Sequence, residues 1–184
     1  MRVLARGLCW ALLCVIATHG HAQRLPPTTP THTGPWYQPG APLVRDLWQP
    51  GMPGTRLSLR GRVLNTQGQP LADTLVEFWH TDAAGSYPPL RGSVRSGADG
   101  GFTIRTILPG VNLGYRARHI HLVLTHPAQP RLVTRIYFLG DENMDEAPWP
   151  ELAITLEESV LDGERRLYGN ILLVMAGTPR SDAR

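Results

Sequence analysis

The stretch that decides the fold of this 184-residue chain reads His119-Ile120-His121-Leu122-Val123-Leu124-Thr125. Alternation with a period of two indicates a β-strand, in which successive side chains leave opposite faces. His119 and His121 therefore share one face, while Ile120 and Leu122 point into the opposite layer. Two neutral imidazoles at this spacing, about 6 to 7 Å between their Cα atoms, can converge on one metal ion. A surface pair or a hydrogen-bonded pair in the core is the alternative explanation.

Strand-like runs with the same period lie on both sides of this stretch. The first starts at Arg56, and the others cover residues 75–79, 100–106, 131–138 and 170–175. Turns rich in glycine and proline, such as residues 67–70 and 99–101, separate them. Short strands in this arrangement predict an all-β fold, specifically an antiparallel β-sandwich. Residues 150–161 are the one segment expected to form a short helix.

Residues 1–22 have the composition of a secretory signal peptide. Arg2 and Arg6 precede a largely apolar stretch, and Ala22 offers a small residue at the cleavage position. Cleavage near Ala22 predicts a periplasmic or secreted protein. Both cysteines of the chain fall in this segment, so disulfide bonds are not expected to stabilise the fold.

The rest of the chain is expected to form one domain with two extensions. Residues 23–53 are rich in proline, glycine and threonine and predict an extended N-terminal arm. Residues 54–178 make the β-sandwich, and residues 179–184 a C-terminal tail. The net charge of +3 falls to +1 without Arg2 and Arg6, and no basic block is present. Nucleic-acid binding is therefore not expected. A membrane anchor is not expected either, because no stretch after residue 22 is apolar enough.

Three blocks follow one another along the chain. They read Val76-Glu77-Phe78-Trp79-His80-Thr81-Asp82-Ala83-Ala84-Gly85-Ser86-Tyr87, then Arg116-Ala117-Arg118-His119-Ile120-His121, then Thr134-Arg135-Ile136-Tyr137-Phe138-Leu139-Gly140-Asp141. In this order they resemble the intradiol ring-cleavage dioxygenases, the family that contains protocatechuate 3,4-dioxygenase and the catechol 1,2-dioxygenases. A metal-free adhesion or carbohydrate-binding module would leave the three blocks unexplained.

The resemblance implies a β-sandwich core that holds one non-haem Fe(III) between two tyrosinates and two histidines. Tyr87 matches the first tyrosine ligand, and His119 and His121 match the two histidines. Arg116 matches an arginine that polarises the substrate. Arg135 stands where relatives often have glutamine or arginine beside the pocket, which makes it a candidate for substrate binding. Such an enzyme would open the ring of a small aromatic diol, of the catechol or protocatechuate type, with O2.

The fourth ligand departs from the family pattern. The second tyrosine is expected two residues after Gly110, where this chain has Asn112. The nearest phenol is Tyr115, directly before Arg116. Tyr115 either fills the fourth metal position, or it packs beside the pocket or contacts the substrate.

Loss of one phenolate removes a negative donor and frees a coordination position. Ferric iron is then less favoured, and Cu(II) becomes an alternative occupant of a site with two histidines and one tyrosine. The leading hypothesis is an intradiol dioxygenase. The alternative is an exported, non-catalytic copper or iron binding protein built on the same sandwich. A homo-oligomer is compatible with either hypothesis.

Two further residues are assigned from their positions alone. Arg118 would favour an anionic substrate if it faced the pocket together with Arg116 and Arg135. His80, which follows Trp79 on a strand, is expected to be exposed.

Overall fold

In a computed structural model the described residues, 24–87 and 90–177, form nine β-strands and three short 3-10 turns. The predicted signal peptide, with Cys9 and Cys14, and the predicted tail at residues 179–184 lie outside the described residues. The strands are β1 Arg56–Asn65, β2 Leu75–His80, β3 Leu90–Arg95, β4 Gly101–Ile107, β5 His119–His126, β6 Gln129–Phe138, β7 Ala153–Ile154, β8 Leu156–Leu161 and β9 Glu164–Met175. The 3-10 turns cover Asn112–Gly114, Met144–Glu146 and Pro150–Leu152.

The strands form two sheets that share one core. One sheet has the order β4-β1-β9-β8 and the other the order β3-β2-β5-β6-β7. Apolar side chains from both sheets meet in a single cluster, to which β5 contributes Ile120, Leu122 and Leu124, all fully buried. Burial of each such side chain stabilises the folded state by roughly 1.5 to 3 kcal/mol. The predicted all-β sandwich is confirmed.

The strand pairing is mixed rather than wholly antiparallel. β1 runs parallel to β9 from Arg56↔Arg166 to Asn65↔Met175, and β6 runs parallel to β7. The remaining pairs are antiparallel. A parallel pair needs a long crossover connection, and period-two alternation within each strand carries no information about strand direction.

The helix expected at residues 150–161 is wrong. That segment forms a 3-10 turn, then β7 and β8. β8 is an edge strand whose side chains are almost all exposed, so it lacks the alternating burial that marks a strand in sequence. β3 was also missed from sequence. None of the described segments forms a helix long and apolar enough to cross a membrane.

The described part of the N-terminal arm lies along the sandwich. Its backbone N–H groups reach the sheets at Leu25 to Thr66, Thr28 to Val174 and Thr31 to Val133, with N···O distances of 2.7 to 3.0 Å. Further along, Leu43 forms an isolated parallel bridge with Ser93 of β3. These bonds satisfy backbone groups of the arm that would otherwise depend on water, and they fix its path.

His80, at the end of β2, links the two sheets. Its side chain is fully buried, so the expected exposure is wrong. Nδ1 donates to the Thr81 carbonyl at 2.7 Å, and Nε2 accepts from the Thr106 hydroxyl at 2.7 Å. Thr106 belongs to β4 in the opposite sheet. His80 lies on the same face of β2 as the core residues Val76 and Phe78, and a histidine at the end of a strand gives no sequence signal for a partner in the opposite sheet.

Burial lowers the pKa of His80 to about 4, against an ordinary value near 6.5. As the pH falls below about 6.5, His80 takes up a proton in the unfolded chain, whereas in the folded protein it stays neutral until about pH 4. His80 should therefore reduce the free energy of unfolding over this window, by at most roughly 3 kcal/mol. Urea unfolding of the metal-free protein at several pH values measures this, and His80→Gln should show a shallower pH dependence. Equal slopes for the two proteins would contradict it.

Candidate metal centre

Strand β5 presents the two histidines to one side of its sheet. It lies between β2 and β6, where His121 pairs with Trp79 and His119 pairs with Tyr137. Ile120, between the histidines, is fully buried in the core on the opposite face. The two imidazole centroids are 4.8 Å apart, with their planes at 75°. The structure thus brings together the pair that the sequence predicts.

Both imidazoles are held in the neutral form. Burial lowers the pKa of His119 to about 4 and that of His121 to about 2, and the nearby positive charges of Arg116 and Arg135 add to the effect. At neutral pH each ring therefore keeps a nitrogen lone pair available for a metal.

The surroundings of each ring fix its orientation. His119 donates from Nδ1 to the Ala117 carbonyl at 2.8 Å, which leaves the Nε2 lone pair free. His121 stacks on Trp79, with centroids 4.8 Å apart and planes 4° from parallel. Among the described residues, Nδ1 of His121 is buried without a hydrogen-bond partner. A buried nitrogen of this kind is unfavourable unless a ligand, metal or water occupies it.

The third predicted ligand, Tyr87, comes from the loop after β2. Asp82 shapes this loop, since its carboxylate accepts the backbone N–H groups of Ala84 and Ser86 at 2.9 and 2.8 Å. The Tyr87 ring is partly buried and stacks on Trp36 of the arm, with centroids 4.9 Å apart and planes 7° from parallel. Burial raises the pKa of the Tyr87 phenol, while Arg116 and Arg135 act to lower it. Burial is the larger effect, so the pKa of the phenol stays above its usual value and the two cations offset that rise only in part.

Gly85 lets two loops meet beneath the site. Its φ is +81°, and a Cβ at this position would collide with the carbonyl oxygen of Val111. Across the same contact Asn112 donates from Nδ2 to the Gly85 carbonyl at 3.0 Å. Asn112, at the position where the resemblance implies a second tyrosine, thus holds the Tyr87 loop against the loop before β5.

The predicted residues converge on one cavity of about 700 Å³. Tyr87, Arg116, His119, His121 and Arg135 all line it. Among the described residues that line it there is no aspartate or glutamate. The cavity therefore combines one phenol and three imidazoles, that of His32 from the arm included, with two positive charges.

Tyr115 lies away from this set. Its side chain is 51% exposed and lines a neighbouring cavity instead of the one that holds Tyr87 and His121. The backbone before it turns through Leu113 at φ +56° and Gly114 at φ +75°. This placement favours the alternative in which Tyr115 packs beside the pocket, and its role as a ligand stays a prediction.

Arg118 does not face the cavity. Its guanidinium forms ion pairs with Asp141 at 2.8 Å and Glu142 at 3.1 Å. Arg116 and Arg135 are thus the arginines of the second and third blocks that reach the pocket.

Sequence reasoning missed the contribution of the arm to the site. His32, Gly34 and Trp36 line the cavity together with the predicted residues. The His32 carbonyl accepts a hydrogen bond from Nη2 of Arg135 at 3.1 Å, and a Cβ on Gly34 would stand 3.6 Å from Cε1 of His121. The arm therefore forms one wall of the pocket. The sequence signal that could have indicated this is Trp36, an aromatic residue within a segment rich in proline and glycine.

Comparison with known proteins places this fold and site in a class. A family model described as Dioxygenase matches residues 32–155. The chain is 30% identical over 168 residues to catechol 1,2-dioxygenase 2 of Acinetobacter lwoffii, covering 76% of this chain and 60% of that protein. It is 35% identical over 121 residues to the protocatechuate 3,4-dioxygenase beta chain of Burkholderia cepacia, covering 54% of this chain and 52% of that one.

Solved structures agree with this placement. The dioxygenase domain of a dioxygenase carbohydrate-binding protein fusion from Streptomyces sp. SirexAA-E superposes with a TM-score of 0.72 at 33% identity, covering 83% of this chain and 100% of that one. The 3-chlorocatechol 1,2-dioxygenase of Rhodococcus opacus 1CP superposes with a TM-score of 0.73 at 25% identity, covering 82% and 73%. The chain belongs to the intradiol ring-cleavage dioxygenase family. It spans about half to two thirds of the length of the curated relatives it matches.

The donor set was tested against the Fe(III) that this family normally uses. Among the described residues no group of three or more His, Cys, Asp or Glu side chains is arranged to hold a metal, so a site here requires the phenol. Tyr87, His119 and His121 supply one anionic oxygen and two neutral nitrogens, and Nδ1 of His121 lacks a partner. These donors fit Fe(III), although less strongly than a set with a second phenolate would, and they number three where the resemblance implies four.

The geometry predicts different roles for the two tyrosines. In iron-loaded protein, Tyr87→Phe should abolish the visible phenolate-to-iron charge-transfer band and reduce bound iron, because the phenolate is removed. Tyr115→Phe, the matched control, should leave both unchanged. Absorption spectra with metal analysis measure this. A weakened or shifted band in Tyr115→Phe would instead identify Tyr115 as the fourth ligand.

Proposed function

We propose that this chain is a non-haem iron intradiol dioxygenase that cleaves a catechol-type aromatic ring between its two hydroxyl-bearing carbons, with both atoms of O2 entering the product. The observation that carries the proposal is the convergence of Tyr87, His119 and His121 with Arg116 on one cavity. The names of the relatives support the same reaction class. Substrates of the catechol or protocatechuate type fit the proposal.

Bound Fe(III) would supply Lewis acidity toward the two substrate oxygens. The protein's own residues prepare the site for that ion. His119 and His121 stay neutral because they are buried, and Arg116 and Arg135 offset part of the rise that burial causes in the pKa of Tyr87. A catechol gains negative charge as its hydroxyls lose protons, and Arg116 stands in the same cavity to stabilise that charge.

The arm contributes by covering the site. Trp36 lies flat against Tyr87 and holds the ring in one orientation, although 49% of its own side chain remains exposed. Trp79 restrains His121 in the same way from the sheet. Ligand rings fixed by packing lose little freedom when a metal binds, and this favours a single coordination geometry.

One observation favours a second candidate function. Asn112 occupies the second tyrosine position and bonds to Gly85, while Tyr115 lies half exposed beside the site. With three protein donors, copper binding without ring cleavage is the alternative. Metal analysis of the protein as isolated, combined with oxygen uptake, separates the two. Stoichiometric copper without oxygen consumption would support the alternative.

We also propose that the protein acts in the periplasm or outside the cell after cleavage near Ala22. The composition of residues 1–22 supports this. Expression of the full chain should give an exported protein with Gln23 at its N-terminus, and a variant without residues 2–22 should remain in the cytoplasm. Cell fractionation with N-terminal sequencing measures this. An uncleaved protein in the cytoplasmic fraction would contradict it.

The iron-loaded protein should consume one O2 for each catechol-type ring opened. Mass spectrometry after reaction in 18O2 should find both labelled atoms in a dicarboxylic acid product.

Arg116→Gln should lower kcat/KM by about 100-fold or more, because the developing negative charge loses a preorganised cation. Arg60→Gln is the matched control, since Arg60 is exposed on the other sheet. Failure of the iron-loaded protein to take up oxygen with several catechols would overturn the proposed reaction.

A further inference from the structure

A second, smaller cavity of about 240 Å³ opens beside the metal pocket. We call it the Trp149 lobe. It shares part of its wall with the metal pocket, namely His32, Arg116, His119 and Arg135. The remaining wall is largely aromatic and consists of Tyr115, Ala117, Tyr137, Glu146, Pro148 and Trp149. A ring bound at the metal pocket therefore has a substituent-sized space next to it.

Arg135 stands at the boundary between the two cavities and is only 5% exposed. Its Nη2 donates to the His32 carbonyl at 3.1 Å, and its Nη1 has a long contact of 3.4 Å to the Tyr137 hydroxyl. Its Nε is buried without a partner among the described residues. The guanidinium carbon lies 4.6 Å from the centroid of the Trp149 ring, within the range of a cation–π contact.

This buried cation forms no ion pair among the described residues, although the exposed Glu151 lines a third cavity together with it. Among the described residues no carboxylate comes within 4.0 Å of the Arg135 or Arg116 guanidinium. Glu146, the acidic residue in the wall of the lobe, is exposed. A buried and unpaired charge is expensive, whereas a guanidinium fork pairs well with a planar carboxylate.

We propose that the Trp149 lobe and Arg135 form a subsite for a carboxylate carried by the aromatic ligand, so that the preferred substrate is a carboxylated catechol. This inference rests on the proposed function, because it places the diol of that ligand in the metal pocket. The Arg135 fork receives the carboxylate, and Trp149 and Tyr137 line the lobe beside it. The carboxylate of the substrate thus pairs with the Arg135 guanidinium, which has no ion-pair partner among the described residues.

Arg135 has a second effect, which the test must separate from the first. It also favours the Tyr87 phenolate, and this influences the binding of every catechol alike. A contact with the carboxylate instead changes the ratio of affinities between a charged ligand and a neutral ligand of the same shape. The pair 3,4-dihydroxybenzoate and 3,4-dihydroxybenzamide provides that comparison.

Isothermal titration calorimetry of the iron-loaded protein without oxygen measures both affinities. Wild-type protein should bind the benzoate about 10- to 100-fold more tightly than the amide, as expected for a hydrogen-bonded charge pair. Arg135→Gln should bring the ratio close to one. Arg135→Met, neutral and of similar length, answers the same question if the glutamine variant does not fold.

Two outcomes would overturn the subsite. One is a wild-type ratio near one, which needs no variant to establish. The other is a large ratio that persists in the neutral Arg135 variants, because another cation would then bind the carboxylate. Oxygen uptake is recorded separately, so a large ratio without turnover would defeat the proposed reaction and leave the subsite standing. Turnover together with equal affinities for the benzoate and the amide would defeat the subsite and leave the proposed reaction standing.

Discussion

The register of β5 between β2 and β6 is the constraint on which the fold and the site both depend. Ile120, Leu122 and Leu124 fill the core from one face, and His119 and His121 occupy the other. A slip by one residue would turn the imidazoles into the apolar layer and expose the three aliphatic side chains. The same alternation that closes the sandwich therefore also aims the metal donors. Site geometry and core packing cannot change independently along this strand.

The parts of the protein that sequence could predict are those with a local signature. The runs around Leu57, Ile104 and Ile136 alternate clearly, and each is a strand in the structure. β8 failed because an exposed edge strand has no buried face to create a pattern. His80 was misplaced for a different reason, since it lies on the core face of β2 and its partner Thr106 comes from the opposite sheet. The outer face of β2 is covered by the arm, which the strand's own sequence does not show either. Alternation reports burial on one face and says nothing about what covers the other.

The residues of the candidate site also divide into those that a short sequence motif predicts and those that it does not. Tyr87, His119 and His121 stand in short motifs, and the structure brings them to one cavity. The wall formed by the arm has no such motif, because its key bond joins Arg135 to His32, 103 residues earlier in the chain. The sequence also does not show which way an arginine side chain points. Arg116 and Arg118 are two residues apart, yet one lines the pocket and the other pairs with Asp141.

The substitution at Asn112 and the isolation of Arg135 have a common electrostatic consequence. A site with two tyrosinates carries two negative charges from the protein, and this one offers a single phenolate beside Arg116 and Arg135. Before any metal binds, the balance of fixed charge in the pocket is therefore positive. A metal cation adds to that balance, so the complex becomes stable only when the ligand brings negative charge. A catechol dianion supplies part of it, and a ring carboxylate beside Arg135, which forms no ion pair among the described residues, supplies more. Under the proposed assignment of Asn112 to the second tyrosine position, a negative charge moves from the protein to the substrate, and such a site should discriminate more strongly between charged and neutral catechols than one with both phenolates.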